Sequence, residues 1–132
     1  MAADREIPLP DSAHYLYIPE EMSWQEPALE DTDLEEIWLM PPELEMLVFA
    51  YDVQNASVRT LAETLVNAGQ QAEVRQISGM DFLVFQDRDE ADGAPCVGYS
   101  YISGGKMVEI SFFYGSQAAA DLTKTIMESF HE

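Results

Sequence analysis

The sequence predicts an α+β domain, an antiparallel β-sheet flanked by two amphipathic helices. Three observations lead there. Gly104-Gly105 sits between two alternating apolar runs, as in a hairpin whose two loop residues both take positive φ. Residues 55–68 and 117–130 repeat apolar side chains at helical spacing. The remaining strand-like runs are joined by connections of turn length, which antiparallel pairing allows and parallel pairing does not. The chain has 132 residues, 47% of them hydrophobic, the size of one domain with enough apolar surface for a core.

Taken in order, residues 1–13 are polar, with Pro8 and Pro10, and read as a flexible arm ahead of a single domain over 14–132. Residues 14–18 read as a strand stopped by Pro19. Residues 20–33 read as a long acidic loop with Trp24 inside it. Two strands, 35–40 and 44–52, flank Pro41-Pro42, which cannot donate ladder hydrogen bonds and so belong to the connection. The second is nearly all apolar from Leu44 to Tyr51, which predicts burial on both faces or a central position.

The helix over 55–68 has Asn55 or Ser57 to cap it and Gly69 at its C-terminal stop. Its stripe is Val58, Leu61, Ala62 and Leu65. Strands over 72–77 and 82–86 follow, joined by a turn at residues 78–81. In the Gly104-Gly105 hairpin the register pairs Ser103 with Lys106, Tyr101 with Val108, Tyr99 with Ile110 and Val97 with Phe112. Ser100 then pairs with Glu109 and Gly98 with Ser111 on the other face. Residues 117–130 close the chain as a helix capped by Ser116, with Ala119, Leu122, Ile126 and Phe130 on its apolar side. The predicted order is β-β-β-α-β-β-β-β-α.

Charge is the most unusual property. The formal net charge is −19, and residues 1–52 hold fourteen acids against one base, Arg5. Such a chain has little with which to displace counterions from a phosphate backbone, so nucleic acid is excluded as a partner. Anionic membrane surfaces are disfavoured on the same ground. Direct insertion is unexpected, since no apolar run approaches the about 20 residues of a spanning helix. Self-repulsion also opposes the compact state. Raising ionic strength from a few millimolar to near-physiological, where the Debye length is about 8 Å, should therefore raise the melting temperature. A melting temperature that stays flat or falls with NaCl would contradict this.

Few residues suggest chemistry. Cys96 is the only cysteine. It cannot form an internal disulfide, and the negative field around it raises a thiol pKa instead of activating it. His14 and His131 lie at opposite ends of the chain, and His131, next to last, is expected to fray. Asp87, Asp89 and Asp92 resemble part of a calcium loop, but Gly93 comes one residue late and Gly98 stands where the closing carboxylate belongs. The segment reads as a strand connection with weak metal candidates. Nucleotide-loop, nucleophile-elbow and zinc-protease motifs are absent from the sequence. No cofactor is expected and no catalytic constellation is legible. The location is cytoplasmic if Met1 is the native start, and extracytoplasmic if the chain is the mature part of an exported protein.

The segment Tyr17-Ile18-Pro19-Glu20-Glu21-Met22-Ser23-Trp24, a strand ending in proline followed by tryptophan, resembles the opening of the Mog1/PsbP-like domains. Ile77-Ser78-Gly79 before the strand from Phe82 to Phe85, then a long hairpin and a terminal amphipathic helix, is similar to the same group over nearly the whole chain. The resemblance implies an antiparallel sheet flanked by helices and an accessory or binding role. That family includes a GTPase-release factor, photosystem-associated subunits and small bacterial exported proteins. It offers no catalytic residues to carry over. The function expected is a non-enzymatic acidic module that binds a protein with a basic surface. Trp24, Glu30, Asp31, Asp33, Glu35 and Glu36 are the partner-binding candidates, because an aromatic anchor among acids suits such a partner. The alternative is a small-ligand or cation-binding domain built from loop acids and strand aromatics.

Overall fold

The computed structural model describes residues 4–27, 33–88 and 95–132. The elements are β1 (Asp4–Pro8), β2 (Tyr15–Pro19), β3 (Ser23–Gln25), β4 (Leu34–Met40), β5 (Leu44–Asp52), α1 (Val58–Asn67), β6 (Ala72–Ile77), β7 (Met80–Arg88), β8 (Pro95–Ser103), β9 (Lys106–Tyr114) and α2 (Gln117–Glu128). Among the described residues seven strands form one antiparallel sheet in the order β3-β4-β5-β9-β8-β7-β6, and β1 and β2 form a separate hairpin. The α+β class stands, with two strands more than the sequence predicted.

The centre of the sheet is built as the alternation dictates. Gly104 and Gly105 have φ of 60° and 79°, and β8 pairs with β9 in the expected register, Ser103 with Lys106 through Val97 with Phe112. The second hairpin is tighter than expected. Its loop is Ser78-Gly79 alone, with Ile77 paired to Met80. A serine at φ 51° is uncommon, and its hydroxyl finds a compensating partner by donating to the Phe130 carbonyl at 2.7 Å.

Each helix takes a different face of the sheet. Ile126, Met127 and the following Phe130 join Phe82, Tyr101, Ile110, Phe112, Met46 and Val48 in the main core. The β1–β2 hairpin closes the same core through Ile7, Leu16 and Ile18. The opposite face receives α1, where Val58 and Ala62 bury against Leu83, with Leu61, Leu65, Val74, Phe85 and Ile102 packed around them. The tyrosine-bearing face of the central hairpin therefore meets α2 and not α1. Strand β5 lies between β4 and β9. Its core face is fully buried, and its other face only half so, since α1 packs over the β6–β8 side.

Several expectations need correction. Residues 4–8 are not an arm: Asp4 to Pro8 pair residue by residue with Pro19 to Tyr15, and Ile7 and Leu9 are core residues. Trp24 does not lie in a loop but in the short edge strand β3, opposite Trp38. Ser57 is the α1 cap, accepting from the Thr60 N–H, while Asn55 sits outside at φ 53°. In α2, Thr123 and Met127 are buried in addition to Ala119 and Ile126, and Leu122 is only partly so.

His131 is not frayed. Its backbone N–H donates to Tyr15 O at 3.1 Å and its carbonyl accepts from Tyr15 N at 2.7 Å. Its ring stacks on Tyr17 and Tyr15, with centroids 5.0 and 5.7 Å away. Just before it, the Ser129 hydroxyl oxygen accepts from the Tyr17 N–H at 2.9 Å. Residues 129–131 thus fasten the end of the chain to β2.

Candidate interaction surface and titratable clusters

The acidic half of the sequence reaches the sheet edge at β3 and β4. Pairing places Trp24 directly across from Trp38, so both project from the same face. Trp38 is buried, with the Arg5 guanidinium 5.6 Å from its ring centroid, whereas Trp24 is 53% exposed. Glu36, two residues from Trp38, shares this face and accepts a hydrogen bond from the Trp38 indole N–H at 3.3 Å. Burial raises the Glu36 pKa, and the charge of Glu35 adds to this against the opposing indole hydrogen bond. Glu35 and Asp33 are exposed, and the Asp33 carbonyl accepts from Ala50 N–H at 3.0 Å, which holds the start of β4 against β5.

Of the predicted partner-binding residues, the fold brings Trp24 and Glu36 together through Trp38. Asp33 and Glu35 lie at the adjoining end of β4. Glu30 and Asp31 lie outside the described residues. For the weak metal candidates, Asp87 is a β7 residue paired with Cys96, and Asp89 and Asp92 also lie outside the described residues. Among the described residues no three potential ligands cluster around a metal position, and no helix is long and apolar enough to cross a membrane.

The two histidines, remote in sequence, both end up beside Phe130 and β2. His14 is buried, with Nδ1 at 2.5 Å from the Asp11 carboxylate, whose side chain is only 1% exposed. Its ring stacks on Phe130 at 4.7 Å and meets Tyr101 edge-on at 5.6 Å. Burial alone would raise the Asp11 pKa, but hydrogen bonds from the His14 ring and the Ala13 N–H overcome it, and the carboxyl titrates below its ordinary range. Burial first, and then the Asp11 charge, push the Tyr101 phenol far up. Asp11 is within electrostatic reach of that hydroxyl, yet the hydroxyl closes no hydrogen bond of good geometry. The group is an enclosed brace beneath the β1–β2 turn.

His131 forms a second, more exposed brace. One ring nitrogen faces the Ser129 carbonyl at 2.6 Å and the other faces Glu6 Oε2 at 2.8 Å. Both partners are acceptors, so both nitrogens donate only when the ring is protonated. The Ser129 carbonyl and Glu6 accordingly raise its pKa. A raised folded pKa means that this contribution is complete below the unfolded value and is lost as pH rises through the folded one. Glu6 also accepts from the Tyr17 hydroxyl, which raises that phenol's pKa, so Glu6→Gln should lower the melting temperature more at mildly acidic than at alkaline pH, where only the Tyr17 contact remains. An equal deficit at both pH values would show that the pair does not act as an ion pair.

No protein-family model matches this chain, and no curated protein sequence matches it. Solved structures do share its fold. Cyanobacterial PsbP (CyanoP) from Synechocystis sp. PCC 6803 aligns over 99% of this chain and 93% of its own, with a TM-score of 0.71 at 13% identity. LpqN of Mycobacterium tuberculosis, a protein involved in cell envelope biogenesis, aligns over 97% and 89%, with a TM-score of 0.55 at 10% identity. The Saccharomyces cerevisiae Ran-binding protein Mog1p aligns over 99% and 96%, with a TM-score of 0.51 at 12% identity. These likenesses span the sheet and both helices, and this chain has a Mog1/PsbP-like fold.

Proposed function

We propose that this protein is a non-catalytic interaction module whose β3–β4 edge receives a protein partner with a basic surface. The observation that carries the reading is Trp24, a large aromatic ring left 53% exposed on a three-residue edge strand, opposite the Trp38 whose indole N–H donates to Glu36. An exposed tryptophan of this kind is a suitable anchor for a partner. The half-buried Glu36 behind it offers a poorly solvated charge to an incoming cation, and Asp33 and Glu35 extend the negative field outward. Glu30 and Asp31 belong to the same acidic run of sequence. That field would speed encounter more than it tightens the complex. The existence of a Ran-binding protein with this fold supports a protein partner.

The test is affinity capture from native extract at low salt, with wild type beside Trp24→Ala and Glu36→Gln. A basic protein should be retained by wild type and released by moderate salt. Its affinity for Trp24→Ala should fall about tenfold or more, and the association rate for Glu36→Gln should fall. Recovery of the same proteins by all three forms, or binding insensitive to ionic strength, would refute the proposal.

A further inference from the structure

Helix α1 leaves a cleft between itself and the sheet on the face opposite the Trp24 edge. The cleft has a volume of about 270 Å³, just below the range of about 300–1,000 Å³ typical of ligand sites. Leu61 and Leu65 of α1 form one wall, and Leu83 and Phe85 of β7 form another. Thr64, whose hydroxyl donates to the Thr60 carbonyl at 3.0 Å, and Gln70 lie on the helix side, and Ser100 and Glu109, a cross-strand pair in the central hairpin, bring polar groups from the sheet.

The two sheet groups, Ser100 and Glu109, are under-satisfied. Ser100 is fully buried, and its hydroxyl has no hydrogen-bond partner. A buried hydroxyl without a partner is costly unless something occupies its donor or acceptor sites. Glu109 is half-buried and accepts one hydrogen bond, from the Ser111 hydroxyl at 3.1 Å. A carboxylate has room for several more donors. Among the described residues no lysine, arginine or histidine lines the cleft, and the protein as a whole concentrates cations around itself.

We propose that this cleft binds a small amphipathic cation, a primary ammonium on a short alkyl or aryl body. The ammonium would donate to the Glu109 carboxylate and the Ser100 hydroxyl, and the apolar body would lie against Leu61, Leu65, Leu83 and Phe85. A metal ion suits the site poorly. Hard divalent cations want about six to eight oxygen ligands, and here a single carboxylate, the Ser100 and Thr64 hydroxyls and the Gln70 amide are too few and stand among hydrocarbon. An anion would be repelled by Glu109. A neutral apolar molecule would leave the carboxylate no better satisfied than before.

The experiment is a ¹H–¹⁵N NMR titration of the intact protein with 2-phenylethylammonium chloride, at constant ionic strength, beside the uncharged 2-phenylethanol. The ammonium should give saturable shifts confined to α1, Leu83–Phe85 and Ser100–Glu109. For so few non-hydrogen atoms the Kd should be on the order of 0.1–1 mM. The alcohol should bind about tenfold more weakly or worse. Glu109→Gln should abolish that preference, and Leu61→Trp, which fills the cleft, should abolish binding of both. The comparison of the two probes on wild type decides the matter even if a variant folds poorly. Linear, non-saturating shifts, shifts spread over the acidic surface, or equal affinity for the alcohol would each overturn the proposal.

Discussion

Phe130→Ala should destabilise the protein by about 3–5 kcal/mol, the usual range for removing a fully buried phenylalanine, and lower the melting temperature by on the order of 10–20 °C. Phe130 is 2% exposed and is the point where four parts of the chain meet. Its ring contacts Phe82 of β7 edge-on at 4.9 Å, Tyr101 of β8 at 5.0 Å and His14 ahead of β2 at 4.7 Å. Its carbonyl accepts from Ser78 in the β6–β7 turn. The alanine variant keeps the carbonyl and loses the ring, so the cavity opens between hairpin and sheet. Amides of β1, β2 and residues 129–131 should exchange faster than those of β8 and β9. Phe130→Leu, which retains most of the volume, should cost less than half as much. Equal losses in the two variants would mean that the ring packing carries little of the stability.

The second large effect concerns the brace beneath the β1–β2 turn. Asp11→Ala should cost about 3 kcal/mol or more, because it removes one partner of an enclosed polar pair and leaves the His14 ring nitrogen facing nothing. The Asp11 carboxylate also accepts from the Ala13 and His14 N–H groups at 3.1 and 3.2 Å, so three donors lose an acceptor together. The pH signature follows from the direction of the shift. A folded pKa below the unfolded one contributes stability that is present above the unfolded pKa and is lost as pH falls through the folded pKa. The difference in stability between wild type and Asp11→Ala should therefore be largest near neutrality and shrink in acid. A difference that stays constant from neutral to strongly acidic pH would show that the carboxylate's charge is not what it contributes. His14 touches both Asp11 and Phe130, so the two substitutions should not add.

What the sequence disclosed about this fold depended on how local each signal was. The β8–β9 register was legible because the two glycines and the alternation lie within one stretch of nineteen residues, 96–114, and agree with each other. The helix caps were legible for the same reason, Ser116 outright and Ser57 as one of two candidates with Asn55, each preceding an amphipathic run. Strand β1 was not, since Asp4-Arg5-Glu6-Ile7-Pro8 offers one inward side chain and a proline, and only its partner β2 makes it a strand. Strand β3 has three exposed residues and no pattern at all. The fastening of His131 joins positions more than a hundred residues apart, which no window along the chain detects. Ser78 at positive φ escaped because its compensating bond goes to Phe130.

The candidate sites divide along the same line. Trp24 and the acids of residues 33–36 stood out as an aromatic among charges, although the pairing with Trp38 that gives Trp24 its setting was not visible. The α1 cleft left a trace only in hindsight of the topology: Leu61 and Leu65 sat in the predicted stripe, yet both remain partly open because α1 packs beside Leu83 and Phe85 and does not reach across the sheet. Ser100 and Glu109 were correctly paired in the predicted hairpin. Their significance arises from the burial of one and the partial burial of the other, and burial depends on where a distant helix lands.

The most direct test of the interaction-module reading is ¹H–¹⁵N shift mapping of the captured basic partner onto the isotopically labelled protein at two salt concentrations. The account predicts perturbations centred on the Trp24 indole and the backbone of residues 33–38, strong at low salt and weakened near physiological ionic strength. Perturbations centred elsewhere, or of equal strength at both concentrations, would contradict it.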